Sequence, residues 1–169
     1  MTDQNLAPLV LDELHAAFIQ GGVSMIASSR TRDNVPVMSR AVGCRVSDDR
    51  RTVTLLLPKP AAQEFLDEVS DSKQIAAVFS LPNTHQTVQL KGEDATVVVP
   101  QKADMQLAEK YRDAFVANVV PLGFEEELIR ALLWFEADNL SAVSFTPCRA
   151  FSQTPGPRAG EPLKHAHTG

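Results

Sequence analysis

The sequence predicts a mainly β fold, in which about six mostly antiparallel strands form a small barrel or a nearly closed sheet with flanking helices. Two observations carry this prediction. Short apolar runs rich in β-branched residues recur along the chain, and turn sequences such as 47–51 and 82–85 separate them closely. Strands spaced in this way pair as antiparallel meanders. A plain α+β sandwich is the alternative arrangement.

The predicted elements follow one another without a visible repeat or linker. The strands are predicted at 23–29, 37–46, 52–58, 74–81, 86–99 and 134–147, and the helices at 5–20, 60–69, 103–119 and 123–133. In the fifth strand Val88 and Leu90 alternate with Gln89 and Lys91, which predicts one buried and one outward side. Residues 1–150 are predicted as a single domain, and the Pro- and Gly-rich residues 151–169 as an arm or tail.

Composition restricts the function classes. The chain has 169 residues and a formal net charge of -5, which argues against wholesale nucleic-acid binding. It has no recognisable targeting signal and no run approaching the roughly 20 apolar residues of a membrane span. Its two cysteines, Cys44 and Cys148, form neither a disulfide framework nor a metal-ligand pair, so a reducing cytoplasm is the expected location.

The sequence lacks the usual catalytic motifs. It contains no G-x-S-x-G, no Gly-rich P-loop and no G-x-G-x-x-G after a strand. His165 and His167 could chelate a metal weakly, but in a polar tail we predict no metal site. Cys44 is most simply a small core residue of its strand.

The main polar anomaly is a pair of arginines in the strand at 37–46. Arg40 and Arg45 interrupt an otherwise apolar and small-residue run, and six of the 16 Lys and Arg residues fall within 30–51. An acidic chain with one basic segment suggests a local anionic ligand. Residues five apart face opposite sides of a regular strand, so a bulge at Gly43 would be needed to bring both to one side. The alternative is two surface arginines lying over apolar neighbours.

The stretch "PVMSRAVGCRV", taken with the order of elements, resembles the corresponding strand of the pyridoxamine 5'-phosphate oxidase-like, FMN-binding split-barrel family. In the oxidases of that family this strand carries Arg, then Val two residues on, then a basic residue at the fifth place after the Arg. Here those places hold Arg40, Val42 and Arg45. The hairpin "FSLPNTHQTVQLKGEDATVV" is also similar to the family pattern, and the likeness covers roughly residues 20 to 100.

The resemblance implies a split barrel that forms a homodimer with FMN at the subunit interface. Arg40 and Arg45 would contact the phosphate, and the backbone of Ala41, Val42 and Leu57 would border the ring and ribityl chain. The remaining cofactor contacts that the resemblance implies are Gln86 and Thr87 on the hairpin and Trp134 from the partner subunit.

The chain departs from the family in two places. Where the family usually brings Ser with Arg or Lys to the phosphate, the segment "KPAAQ" offers only Lys59 and Gln63. The oxidases' Arg-Leu-x-Pro-type end is replaced by "FSQTPGPRAG", so pyridoxal-substrate activity is not carried over. The resemblance therefore implies an FMN-dependent oxidoreductase acting on an unidentified small molecule. The alternative is a non-enzymatic flavin- or haem-binding protein, with His85, His165 or His167 as the axial ligand of a haem.

Overall fold

The structure is a computed structural model and describes residues 9–163. Within them nine strands form two sheets, and every pairing is antiparallel. The strands are β1 (Ser24–Arg30), β2 (Pro36–Arg40), β3 (Gly43–Val46), β4 (Val53–Pro58), β5 (Ile75–Ser80), β6 (Thr87–Gly92), β7 (Thr96–Val98), β8 (Leu140–Phe145) and β9 (Arg149–Ser152). The helices are α1 (Glu13–Ile19), α2 (Lys59–Ser72), α3 (Asp104–Val119) and α4 (Glu126–Leu132).

The first sheet has the order β2-β1-β5-β6-β9 and the second has the order β3-β4-β8-β7. Two of the six predicted strands each divide in two, so that 37–46 forms β2 and β3, and 86–99 forms β6 and β7. The last predicted strand, 134–147, shortens to β8, and β9 follows it beyond the predicted bounds. At each division the chain passes from one sheet to the other, as it does between β8 and β9. Such corners let two sheets close around one core, which confirms the predicted mainly β barrel with flanking helices.

The core lies between the two sheets and is covered by α2. Its largest fully buried side chains come from both sheets and from this helix, and include Phe65, Phe79, Phe145, Leu55 and Leu90. Strand β4 is buried on both faces and contacts α2, and its run from Val53 to Leu57 is correspondingly apolar except for Thr54. The continuous apolar character of this strand therefore reflects its central position.

Helix α3 lies against β3 and the chain leading into β1. The Tyr111 hydroxyl donates to the Val23 carbonyl at 2.8 Å, and Asn118 Nδ2 donates to the Gly22 carbonyl at 2.8 Å. A Cβ on Gly22 would lie 2.6 Å from the carbonyl carbon and oxygen of Ala114. Glycine at position 22 therefore allows the two backbones to approach closely enough for these bonds to form.

The boundaries of the predicted helices and tail shift in the structure. The first helix begins at Glu13, with the Asp12 carboxylate accepting from the His15 backbone N–H, and the predicted start at 5–8 lies outside the described residues. The division predicted at residue 150 falls within β9, and the Leu163 N–H donates to the Ala150 carbonyl at 2.9 Å. Across residues 9–163, no helix is both long enough and apolar enough to cross a bilayer.

Candidate functional site

The polar residues of interest lie mainly on the outward side of the first sheet. Alternation along its strands buries one set of side chains and leaves the other set half-exposed, as the sequence predicted for Val88, Gln89, Leu90 and Lys91. Cross-strand partners always share a face, so the register determines which outward side chains are neighbours. We refer to this surface as the outer face.

One row across the outer face begins at Arg40. Arg40 pairs with Ile26, Ile26 with Val78, Val78 with Gln89, and Gln89 with Phe151. With strands about 4.8 Å apart, the row extends roughly 19 Å across the sheet. It has a cationic end at Arg40, two aliphatic side chains beside it and an amide near the far end. A row of this length and chemistry matches an elongated ligand that has an anionic end and a flat apolar body.

A second row, two residues along the strands, is made of hydroxyl groups. Ser24 pairs with Ser80 and Ser80 with Thr87. Arg40 Nη1 donates to Ser24 Oγ at 3.1 Å, and the hydroxyl groups of Ser80 and Thr87 lie 2.9 Å apart. None of the ion pairs among residues 9–163 includes Arg40. Its guanidinium therefore keeps donors for a ligand.

The start of α2 lies at the same edge of the barrel as Arg40. The Val42 N–H donates to the Leu56 carbonyl at 2.8 Å, which joins the end of β2 to the end of β4, where α2 begins. Ser72 at the other end of α2 contacts Ser29 at 3.1 Å, so the helix runs along β1 away from this edge. The helix has Pro58 as its N-cap with no side-chain cap hydrogen bond, and Lys59 is exposed. Uncapped N–H groups, the helix dipole and Lys59 all favour a negative charge at this point.

The predicted bulge at Gly43 is not present. The chain turns instead at Ala41 and Val42, whose N–H groups donate to the Met25 carbonyl in the first sheet and the Leu56 carbonyl in the second. Gly43 pairs with Leu56 within β3. A Cβ on Gly43 would lie 3.0 Å from Leu107 Cδ2 on α3. Glycine there lets α3 pack closely on β3, and this corrects the role predicted from its position between the two arginines.

Arg40 and Arg45 lie in different sheets and have different partners. Arg45 Nε donates to Asp104 Oδ1 at 2.9 Å, and the Asp104 side chain is only 1% exposed. Asp104 Oδ2 also accepts from the Gln101 N–H at 2.7 Å. The pair therefore fixes the start of α3 on β3. The predicted phosphate contact of Arg45 stays a prediction, and any such contact would compete with this ion pair.

The other predicted contact residues are spread over three places. Leu57 is buried and pairs with Ser141, whereas Gln63 is exposed on α2 and donates to Asp67 at 2.8 Å. Gln86 is exposed in the turn before β6, and neighbouring Thr87 belongs to the hydroxyl row. Trp134 follows α4 and is 65% exposed. The structure thus places Arg40 and Thr87 on the outer face, whereas Trp134 of the same chain follows α4. Lys59 and Gln63 lie in the first turns of α2, and their predicted phosphate contacts stay predictions.

Several residues of the site were not predicted as contacts, among them the polar residues Ser24 and Gln89. The alternation of β6 already predicted that Gln89 points outward. What the sequence could not supply was the cross-strand register, which places Gln89 in the Arg40 row and Ser24 beside the guanidinium. Ser24 and Gln89 can be identified as site residues only when it is known which strands pair.

Cysteine and metal chemistry find no support in the described part of the chain. Burial raises the pKa of the Cys44 thiol well above its ordinary value, although the charge of Arg45 opposes this shift. No group of three or more His, Cys, Asp or Glu residues within 9–163 is arranged to hold a metal ion. His165 and His167 lie outside the described residues. Cys44 therefore behaves as a core residue.

The two antiparallel sheets, the corner at Ala41–Val42 and the helix after β4 define a split β-barrel. Among solved structures, the chain is similar to HupZ of Group A Streptococcus, with 12% sequence identity, a TM-score of 0.55, and coverage of 89% of this chain and 100% of that one. It is also similar to an F420 reductase, with 13% identity, a TM-score of 0.53, and coverage of 83% and 98%.

A candidate pyridoxamine 5'-phosphate oxidase from Lactobacillus delbrueckii shares 14% identity at a TM-score of 0.52, with coverage of 89% of this chain and 99% of that one. No protein-family model matches the sequence, and no curated protein matches it. At these identities the likeness establishes the fold, and it confirms the split barrel that the sequence resemblance implied.

Proposed function

We propose that this protein binds FMN on the outer face of its first sheet and acts as a flavin-dependent oxidoreductase on a small molecule that is not identified. The observation that carries the proposal is the cationic edge formed by Arg40, Lys59 and the uncapped start of α2. A phosphate dianion favours several charge-assisted donors of this kind. Both neighbours named above for a reductase or an oxidase have the same fold, which makes this chemistry a natural expectation for the barrel.

The residues present fit the cofactor at two points. Arg40 and Lys59 would hold the phosphate, with the first N–H groups of α2. Ile26 and Val78 offer a flat apolar surface for the ring, while Thr87 and Gln89 offer hydrogen bonds near it. When bound, the flavin would supply the redox chemistry, and the protein would orient it and control access to it. This division of roles agrees with the absence of a catalytic acid–base motif in the sequence.

A homodimer is the second part of the proposal. A ring that lies on one sheet face remains open to water on its other side, and a second copy would cover it. The region around α4 exposes a line of apolar side chains, with Phe124 52%, Leu128 62% and Leu132 57% exposed, and Trp134 follows them. Exposed apolar patches of this kind mark interaction surfaces. If the partner subunit's Trp134 contacts the cofactor, this line would pack close to the outer face.

The expected compartment is the cytoplasm. Cys44 and Cys148 are both free thiols in the structure, which suits a reducing environment. Haem remains the alternative cofactor on the same barrel. Among residues 9–163 the histidines are His15, which bonds to Asp12, and His85, which is exposed in a turn, so His85 is the axial ligand to test.

The test begins with the absorption spectrum of the purified protein, followed by titration with FMN monitored by flavin fluorescence. We expect quenching that saturates, and we expect Arg40→Gln to weaken FMN binding by about 10- to 100-fold because it removes charge-assisted hydrogen bonds. Arg51→Gln removes an equal charge at an exposed turn and serves as the matched control.

A colourless protein that leaves FMN fluorescence unchanged at high concentration would disprove the flavin proposal. A haem titration then examines the alternative. A Soret shift that disappears in His85→Ala would favour haem binding. Turnover of a reduced nicotinamide by the FMN-loaded protein would separate an enzyme from a flavin-binding protein without activity.

A further inference from the structure

A second cationic cleft lies on the first sheet, away from Arg40. Its volume is about 340 Å³, and it is lined by side chains of β1, β5, β6 and β9 together with Gln74. Three of the lining residues are basic, namely Arg30, Lys91 and Arg149. The floor of the cleft is formed by small side chains, because the outward residues of β1 and β5 at this point are Ser28 and Ala76. The size is within the range of small-molecule sites.

Two of these basic residues are placed against each other by the sheet itself. Lys91 and Arg149 are direct cross-strand partners, and like charges in such a pair destabilise a sheet. Arg149 Nη2 is compensated by Glu93 Oε1 at 3.0 Å. Lys91 Nζ lies 5.5 Å from the centre of the Phe151 ring, and no ion pair found in residues 9–163 includes it. The half-buried Lys91 side chain is therefore the cross-strand neighbour of an arginine, and the only carboxylate bound to this pair in residues 9–163 is Glu93 on Arg149.

The surroundings do not neutralise this charge. Arg30 lies two residues beyond Ser28 on the same side of β1, and its side chain donates to the neutral Asn34 amide oxygen. On α2, Glu68 and Asp71 line an adjoining cleft that shares Arg30, and Asp71 is bound to Arg32 at 3.0 Å. The residues that line the cationic cleft itself include three cations and no carboxylate, and Glu93 outside the lining is bound to Arg149. A local positive cleft in a chain of net charge -5 will attract small anions selectively.

We propose that this cleft binds the oxyanion group of a small molecule, a carboxylate or a phosphate, between Lys91, Arg149 and Arg30. The bound anion would accept charge-assisted hydrogen bonds from Lys91 and the two guanidinium groups, and it would relieve the repulsion across β6 and β9. The site is separate from the proposed flavin phosphate site, because Lys91 and Arg149 lie on the third and fourth strands from β2, and Arg30 lies four residues along β1 from Ile26, the partner of Arg40. The proposal therefore does not depend on flavin binding.

The test is thermal unfolding of the full-length protein with inorganic phosphate or succinate, each compared with sodium chloride at equal ionic strength. We expect at least one of the two anions to raise the Tm of the wild type by about 3 °C at ten times its Kd. Lys91→Gln should weaken binding of that anion by about tenfold, which reduces the rise at the same concentration to about a third. In chloride alone its Tm should equal or exceed that of the wild type, because the like-charge pair is gone.

Two control variants decide where the anion binds. Arg51→Gln and Arg40→Gln should both keep the rise, since neither residue lines the cleft. A response to phosphate alone or to succinate alone identifies the class of ligand, and a response to both identifies a general oxyanion site. If neither anion acts beyond chloride, the proposal is wrong. If the rise disappears in Arg40→Gln but remains in Lys91→Gln, the anion occupies the proposed flavin phosphate site, and only the present inference fails.

Discussion

Arg45 on β3 and Asp104 at the start of α3 form an ion pair with an Nε–Oδ1 distance of 2.9 Å, in which the Asp104 side chain is buried and the Arg45 side chain is 27% exposed. The two residues are 59 positions apart in sequence. A buried carboxylate is tolerated because Arg45 and the Gln101 N–H both donate to it. The pair therefore holds α3 against the second sheet.

Removing Arg45 tests this role. Arg45→Gln leaves a buried carboxylate without its cation, and we expect a loss of about 3 kcal/mol in the free energy of unfolding, measured by urea denaturation. FMN affinity should change much less than it does in Arg40→Gln. The reverse pattern, with stability intact and FMN binding lost, would show that Arg45 serves the ligand instead of the fold.

Two glycines packed against α3 are expected to differ in their tolerance of a methyl group. At Gly43 the nearest atoms are the ends of the Leu107 and Leu56 side chains at 3.0 Å, which can shift, whereas at Gly22 they are backbone atoms of Ala114 at 2.6 Å. We expect Gly43→Ala to cost about 1 kcal/mol and Gly22→Ala about 3 kcal/mol in unfolding free energy. Equal losses in the two variants would argue against this close approach of α3 to Gly22.

The two thiols should react at very different rates. Cys44 is buried and its pKa is raised, so at pH 8 its thiolate fraction is smaller than that of an ordinary cysteine. Cys148 is only partly buried. A colorimetric thiol reagent should therefore modify one thiol per native chain, and Cys148→Ser should leave none, while in denaturant both react. Rapid native modification of Cys148→Ser would contradict the buried position of Cys44.

The exposed apolar line near α4 should determine the oligomeric state. Light scattering after gel filtration should give about twice the chain mass of 18.4 kDa for the wild type. Leu128→Glu should return it to the mass of one chain, because a charge would enter an apolar interface. Leu14→Glu is the matched control, since Leu14 is 82% exposed on α1. A dimer unaffected by Leu128→Glu would place the interface elsewhere, and a monomeric wild type would disprove the dimer.

Much of the fold could be predicted because its signals are local. Alternation in β6 and the apolar run of β4 follow from burial on one or both faces, and the hairpins follow from turn residues. The corner at Ala41–Val42 has no such signal, since both residues are buried and neither is Gly or Pro. It depends on carbonyl groups of Met25 and Leu56, which the sequence does not show to be close.

The candidate site was predicted only in part, because some of its residues have a local signal in the sequence and others depend on contacts between distant segments. Arg40 is conspicuous as a charge in an apolar strand, and its importance could be inferred without coordinates. Asp104, the partner of Arg45, could not be inferred from the sequence, because this pairing depends on where α3 packs. Ser24 and Gln89 enter the site only through strand pairing.

The turn at Ala41 and Val42 has a consequence for how such a barrel could diverge. Six consecutive residues, 40–45, begin at the ligand edge of one sheet and end at the helix anchor of the other. Substitutions at the first position would therefore change the candidate site while the last position continues to secure α3. A lineage could alter what this site binds and keep its barrel intact throughout.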